Sequence, residues 1–249
     1  MKEEITLENS IENSNFAKEV AWLKHHALLF LWLLTFVWRQ RNIRECRIKG
    51  SQPNLFKAEI PPFTTLTIPL WARKKLNANP QEKFWQIHFR ESETKTGGEV
   101  RAIVPLRLVA RLEEYLDLYR PQLVRKIDPP ETLFLNCSGG PLTPNVVCNL
   151  IKGLTATYTG RAVNPHIVRD IFAYAWLDAH PENYLTLQKA LWHRDIKTTL
   201  RIYGSGIDES HALCRVEQWL DERDKKSSQG NSDEDQIKEK SSQQKKKAA

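Results

Sequence analysis

Residues 27–38 read Ala-Leu-Leu-Phe-Leu-Trp-Leu-Leu-Thr-Phe-Val-Trp, apolar on every face that a helix could present. Such a helix must be enclosed on all sides, so this run becomes a centre round which the rest of the chain packs. It falls short of the roughly 20 apolar residues that cross a bilayer, which makes it a core element and argues against a membrane span. The predicted helix runs from about Phe16 to Trp38. Residues 1–15 are polar and are expected to form a flexible N-terminus. The opening Met-Lys-Glu-Glu-Ile lacks the apolar segment of a signal peptide. A chain of 249 residues with 41% apolar content reads as one large folded domain with small additions.

A short basic helix, Arg41–Ile48, is predicted next, and Gly50-Ser-Gln-Pro53 breaks the chain. Leu55–Ile60, Phe84–Phe89 and Val100–Val104 read as short strands. A helix over Leu70–Leu76 lies between the first two, and Lys95-Thr-Gly-Gly98 is a hairpin turn by its glycines. Together they predict a small antiparallel sheet. Leu106–Tyr119 is an amphipathic helix stopped by Pro121. Thr143 caps a helix reaching about Tyr158, and Asn164 caps one that starts at Pro165. Further helices are predicted over Tyr184–Trp192, Ile196–Tyr203 and His211–Leu220. Residues 223–249 are rich in Lys, Ser, Gln and Asp and are expected to be disordered. The fold class is α+β, mostly helical, with one small sheet.

The formal charge is +7, and residues 224–249 hold seven lysines against five acids. Most of the positive excess therefore lies in the folded part, which suits a polyanionic partner, although modest basicity also occurs in proteins that bind none. Cys46, Cys137, Cys148 and Cys214 are widely spread and form no C-x-x-C pair. Buried free thiols in a reducing, cytoplasmic setting account for them, and neither a metal nor a cofactor is predicted.

The residues that carry chemistry lie late in the chain. His166-Ile-Val-Arg169 is followed by Leu191-Trp-His193-Arg-Asp-Ile-Lys-Thr-Thr-Leu-Arg-Ile-Tyr203. A tyrosine near a helix end is commonly a packing residue, and a histidine at a helix start commonly has a satisfied ring. The set, however, supplies what breaking a phosphodiester needs. A Tyr hydroxyl with a pKa near 10 attacks only with a base or concentrated positive charge beside it. His166 and Arg169 are three apart and share a helix face. A guanidinium can fork onto phosphate oxygens and stabilise a pentacoordinate transition state.

These residues resemble the tyrosine recombinase (phage integrase) family, whose motif order is an arginine, a hairpin lysine, H-x-x-R, a histidine or tryptophan, and a tyrosine. His166, Arg169, His193 and Tyr203 match the second half. Trp192 stands where the family has glycine, and Tyr203 lies ten residues after His193 where nine is commoner. The family's first arginine precedes E-L-x-x-L, and Arg39-Gln-Arg-Asn42-Ile43-Arg-Glu-Cys46 fits with Asn42 in place of the acid. Arg39 is chosen over Arg41 and Arg44, although alone it reads as a helix-end charge. Lys95-Thr-Gly-Gly-Glu-Val-Arg-Ala-Ile-Val-Pro105-Leu106 resembles the family's K-T-G-x-x-R-x-V-P-L phrase, although an isolated turn lysine is ordinarily just exposed. The resemblance runs from about residue 16 to 222.

What the resemblance implies is a site-specific recombinase or integrase of a mobile element. It cleaves and rejoins double-stranded DNA through a 3′-phosphotyrosine link, with Arg39, Lys95, His166, Arg169 and His193 round the phosphate and Tyr203 as nucleophile. Residues 16–222 would be the catalytic domain, acting in a synaptic tetramer on DNA in the cytoplasm. The apolar residues Ala212, Leu213, Val216, Trp219 and Leu220 nominate His211–Leu220 as a segment exchanged between protomers, or else as an intramolecular packing helix. No room is expected before Phe16 for the family's core-binding domain. The alternatives are a non-catalytic DNA-binding or regulatory relative, or a truncated integrase.

Overall fold

One face of the apolar run lies in the main core, but the run is not enclosed on every side: Ala27 and Leu34 are exposed. In this computed structural model, residues 2–62, 64, 66–125, 128–181, 183–204, 213–214 and 216–222 are described, with side chains from residue 15. The first helix, α1, spans Lys2–Phe36. It starts well before the expected Phe16; the upstream residues carry no apolar periodicity that signals it in the sequence. Leu28, Leu29, Trp32 and Leu33 on α1 are at most 2% exposed. Around them pack α4 (Leu106–Glu114), α5 (Arg120–Leu123), α6 (Pro144–Thr159) and α7 (Pro165–Ala179). Tyr115, Phe134, Leu108 and Leu112 fill the same core.

His25 is buried among these rings, 5.1 Å from Trp22 and 5.6 Å from Phe134 between ring centres. Its Nε2 accepts a hydrogen bond from the Leu135 amide at 3.1 Å. Burial first, then the nearby His26 and Arg120 charges, lower its pKa from 6.5 to about 3. In the unfolded chain His25 takes up a proton near pH 6.5, whereas the folded chain takes none until about pH 3. The stability contributed by neutral His25 is thus complete above about pH 6.5 and is lost as pH falls towards 3, at about 1.4 kcal/mol per pH unit. We expect the melting temperature to drop between pH 7 and pH 4.5, and to drop less in His25→Gln, which keeps an acceptor but cannot titrate. Equal drops in thermal melts of the two proteins would contradict this.

The sheet is three-stranded and antiparallel in the order β1 (Leu55–Glu59), β2 (Lys83–Phe89) and β3 (Val100–Ile103). Ala58 pairs with Phe84, and Ile87 with Ala102. On one side Leu55, Ile87 and Phe89 join the main core. A satellite cluster of Ile60, Phe84 and Ile103 packs under Ala72 and Trp71 of α3 (Leu70–Ala78). The predicted strands and the helix between them are thus present within a residue or two.

Further expected elements differ. The basic helix is α2 (Gln40–Arg44) and ends early; by Arg47 the backbone has turned to bridge Thr132. Nor does the chain stop being helical at Pro121. A wider π-type turn, Tyr115–Tyr119, links α4 to α5, which contains Pro121 in its first turn. Proline has no N–H and crowds the carbonyl four residues back; a wider turn moves that carbonyl aside. Later in the chain come α8 (Tyr184–Ala190), shorter than predicted, and α9 (Ile196–Tyr203).

The chain divides into two compact units, residues 1–199 and 200–249. In the second, the end of α9 is followed by helical residues 213–214 and 216–222. Leu213, Val216, Trp219 and Leu220 are exposed there, by 37–70%. The remainder of the predicted His211–Leu220 helix, and the expected disorder of 223–249, lie outside the described residues. Among the described residues no helix is long and apolar enough to cross a membrane.

Candidate active site

The chain turns sharply where α1 ends. Val37 has φ 44, left-handed backbone that a β-branched residue rarely adopts, and Trp192 has φ 51. Each such residue costs on the order of 1–3 kcal/mol unless its surroundings hold it. Arg169 does much of the holding. It is 4% exposed on α7 and donates from Nη1 to the Val37 carbonyl at 2.6 Å and from Nη2 to the Leu191 carbonyl. Arg39 Nη1 lies 3.5 Å from the Trp192 carbonyl. Between the two turns, the Trp38 and Trp192 rings meet at 4.7 Å, with Phe36 stacked on Trp38 at 4.2 Å and Phe89 edge-on at 5.4 Å. The tryptophan that departs from the family's glycine therefore occupies the left-handed position that glycine favours, and its ring is absorbed by an aromatic stack.

A cleft of about 450 Å³ opens beside this stack, lined by Arg39, Lys95, His166 and Arg169, with Trp38, Cys148 and Pro165 among its walls. Arg39 is the residue before α2 and is half-buried. Burial lowers its pKa, yet a guanidinium keeps its proton. Lys95 is exposed in the turn between β2 and β3. That turn is shaped by Thr94, whose hydroxyl donates to the Gly98 carbonyl at 2.9 Å, and by Gly97 at φ 67. Asn42, only 3% exposed on α2, donates to the Glu93 carbonyl at 3.3 Å. The amide that replaces the family's acid thereby ties the Arg39 helix to the segment leading into Lys95.

His166 sits in the first turn of α7. Asn164 caps that helix as expected, accepting from the amides of His166 and Ile167 at 2.9 and 3.0 Å. The His166 ring is 81% exposed, with Nε2 4.0 Å from Asp170. Among the described residues none that lines the cleft is acidic, and its arginines and lysine suit it to an anion.

His193 follows the left-handed Trp192 and is half-buried. Its amide donates to the Gln188 carbonyl at 3.0 Å, and Gln188 Nε2 donates back to the His193 carbonyl at 3.2 Å. Its ring Nδ1 lies 2.9 Å from Thr199 Oγ1. Burial, and then the positive charges of Arg169 and Arg39, lower its pKa to about 4, with Asp170 opposing. At neutral pH the ring is uncharged. The same causes tie it electrostatically to the two arginines, so five sequence-predicted residues belong to one region of the first unit. Tyr203 closes α9 in the second unit and is buried.

Sequence reasoning missed Gln188 and Thr199. Thr199 sits inside the very phrase that carries the resemblance, with no role attached to it. Gln188 had no signal beyond its place on a helix. Among the described residues no group of three or more His, Cys, Asp or Glu could hold a metal ion.

The family model for the phage integrase family matches residues 74–208. That span is more than half the chain and includes Lys95, His166, Arg169, His193 and Tyr203, though not Arg39. The tyrosine recombinase XerD of Staphylococcus saprophyticus is 35% identical over 106 residues, covering 41% of this chain and 35% of that protein. XerD of Staphylococcus aureus N315 aligns with the same identity and coverage. The match thus spans about a third of the length of these curated relatives. A crystal structure of the XerH site-specific recombinase bound to its difH substrate superposes with a TM-score of 0.54 at 16% identity, over 84% of this chain and 52% of that one. The helical core with its three-stranded sheet is the tyrosine recombinase catalytic-domain fold, and the chain belongs to the phage integrase family of tyrosine recombinases.

Proposed function

We propose that this chain cleaves and rejoins double-stranded DNA by transesterification, as a site-specific recombinase or integrase. The observation that carries the proposal is the cleft where Arg39, Lys95, His166 and Arg169 meet with no acid among the described lining residues, beside a neutral His193 whose pKa both arginines lower. Arg39 and Arg169 bind the non-bridging oxygens of the scissile phosphate and stabilise the charge that builds up in the transition state. The Tyr203 hydroxyl attacks phosphorus, His166 takes its proton, and the P–O5′ bond breaks. Lys95 gives a proton to the departing 5′ oxygen. A 5′ hydroxyl then attacks the 3′-phosphotyrosine and reverses the steps. One phosphodiester is exchanged for another, so the chemistry needs no energy from a nucleotide cofactor.

That the site-specific recombinase XerH is bound to its difH substrate supports duplex DNA as the partner. The exposed Leu213, Val216, Trp219 and Leu220 support assembly into a synaptic tetramer through that segment. A second reading, a DNA-binding relative without catalysis, draws on the depth of Arg169, two of whose N–H groups go to backbone carbonyls. A duplex nicked near the scissile phosphate separates the two, because the short cut fragment diffuses away and traps the intermediate. We expect a protein-linked strand on a denaturing gel. Binding to the duplex with no such strand would favour the second reading.

A further inference from the structure

We infer that Thr199 is a positioning residue that fixes the tautomer of His193, so that Nε2 carries the ring proton. The inference rests on the reading of His193 as a phosphate-binding group and goes one layer beyond it. Thr199 is 0% exposed, and its hydroxyl has one described partner, His193 Nδ1 at 2.9 Å. A neutral imidazole offers one donor and one acceptor nitrogen. If Thr199 accepted a proton from Nδ1, its own hydroxyl hydrogen would be buried without an acceptor, a penalty that buried polar groups avoid. The hydroxyl therefore donates into the Nδ1 lone pair, and the ring proton is left on Nε2.

The consequence is chemical. An imidazole held in this form donates a hydrogen bond from Nε2 and cannot accept one there. That fits a group which stabilises phosphate oxygens and leaves proton acceptance to His166. It also needs the ring uncharged, as burial and the two arginines make it at neutral pH. Gln188, bonded to both the amide and the carbonyl of His193, holds the backbone, and Thr199 holds the ring. The tautomer is thereby set before any ligand arrives.

The test is long-range proton–nitrogen NMR on the full chain labelled with ¹⁵N-histidine, with His193→Gln used to assign the ring signals. In the parent chain at pH 7 the two nitrogens should report Nε2 protonated and Nδ1 bare. In Thr199→Val, which removes only the hydroxyl, they should report a mixture, and Thr199→Ser should restore the single form. On the nicked duplex, Thr199→Val should form adduct about five- to tenfold more slowly, the worth of one hydrogen bond, with Thr199→Ser near the parent rate. A parent ring protonated on Nδ1, or an unchanged tautomer in Thr199→Val, overturns the inference. Should Thr199→Val fail to fold, the parent spectrum and Thr199→Ser still decide. If the tautomer behaves as stated and no variant forms adduct, the lock stands and the recombinase reading fails.

Discussion

Tyr203→Phe is expected to bind duplex DNA as the parent chain does and to form no covalent adduct at all. The substitution removes one oxygen from a residue that is 4% exposed at the end of α9. Removing one hydroxyl costs at most about the 0.5–1.5 kcal/mol of a typical hydrogen bond, a small fraction of the stability of a domain of this size. In the proposed chemistry phosphate binding rests on Arg39 and Arg169, which the change leaves alone. The effect on chemistry is of another order, because phenylalanine has no oxygen with which to form the phosphotyrosine link. A tyrosine hydroxyl is also poorly replaced by water, which would give a nick and not an adduct. An adduct that persists in Tyr203→Phe would assign the nucleophile elsewhere.

Arg169→Ala is expected to lose both stability and cleavage, for separable reasons. Its guanidinium holds the carbonyls of Val37 and Leu191, whose residues are 2% and 0% exposed. Each carbonyl left unpaired costs roughly 1–3 kcal/mol. The left-handed turns at Val37 and Trp192 also lose the group that ties them to α7. A loss of about 2–4 kcal/mol lowers the melting temperature by roughly 5–15 °C for a chain of this length. At temperatures where the variant is folded, adduct formation should fall by roughly 10²–10³, as for removal of an oxyanion donor. Arg169→Lys keeps a charge but cannot fork onto two acceptors; it should recover part of the binding and little of the rate. Cleavage near the parent level in folded Arg169→Ala would remove Arg169 from the site.

Much of this was legible in the chain. The hairpin round Lys95, the Asn164 cap that sets His166, and the central apolar helix each follow from a local rule: glycine at a tight turn, an amide at an N-cap, an apolar face that must be covered. The rest depends on contacts between distant segments. The upstream half of α1 has no periodicity to read. Pro121 is helical because the turn before it widens. Trp192 looked like a departure from the family until the stack with Trp38 and Phe89 gave its ring a place. Asn42 stands where the family has an acid, yet it bonds the Glu93 backbone next to the Lys95 turn. Thr199 was in plain view and silent, since nothing in its spacing says that its hydroxyl meets the ring of His193.

The proposed chemistry stands or falls on a covalent bond at one residue. The parent chain, reacted with the nicked duplex, digested with nuclease and protease and read by mass spectrometry, should yield a peptide bearing a nucleotide 3′-phosphate on Tyr203. The same bond on another residue, or intact duplex recovered with bound but unmodified protein, would contradict it.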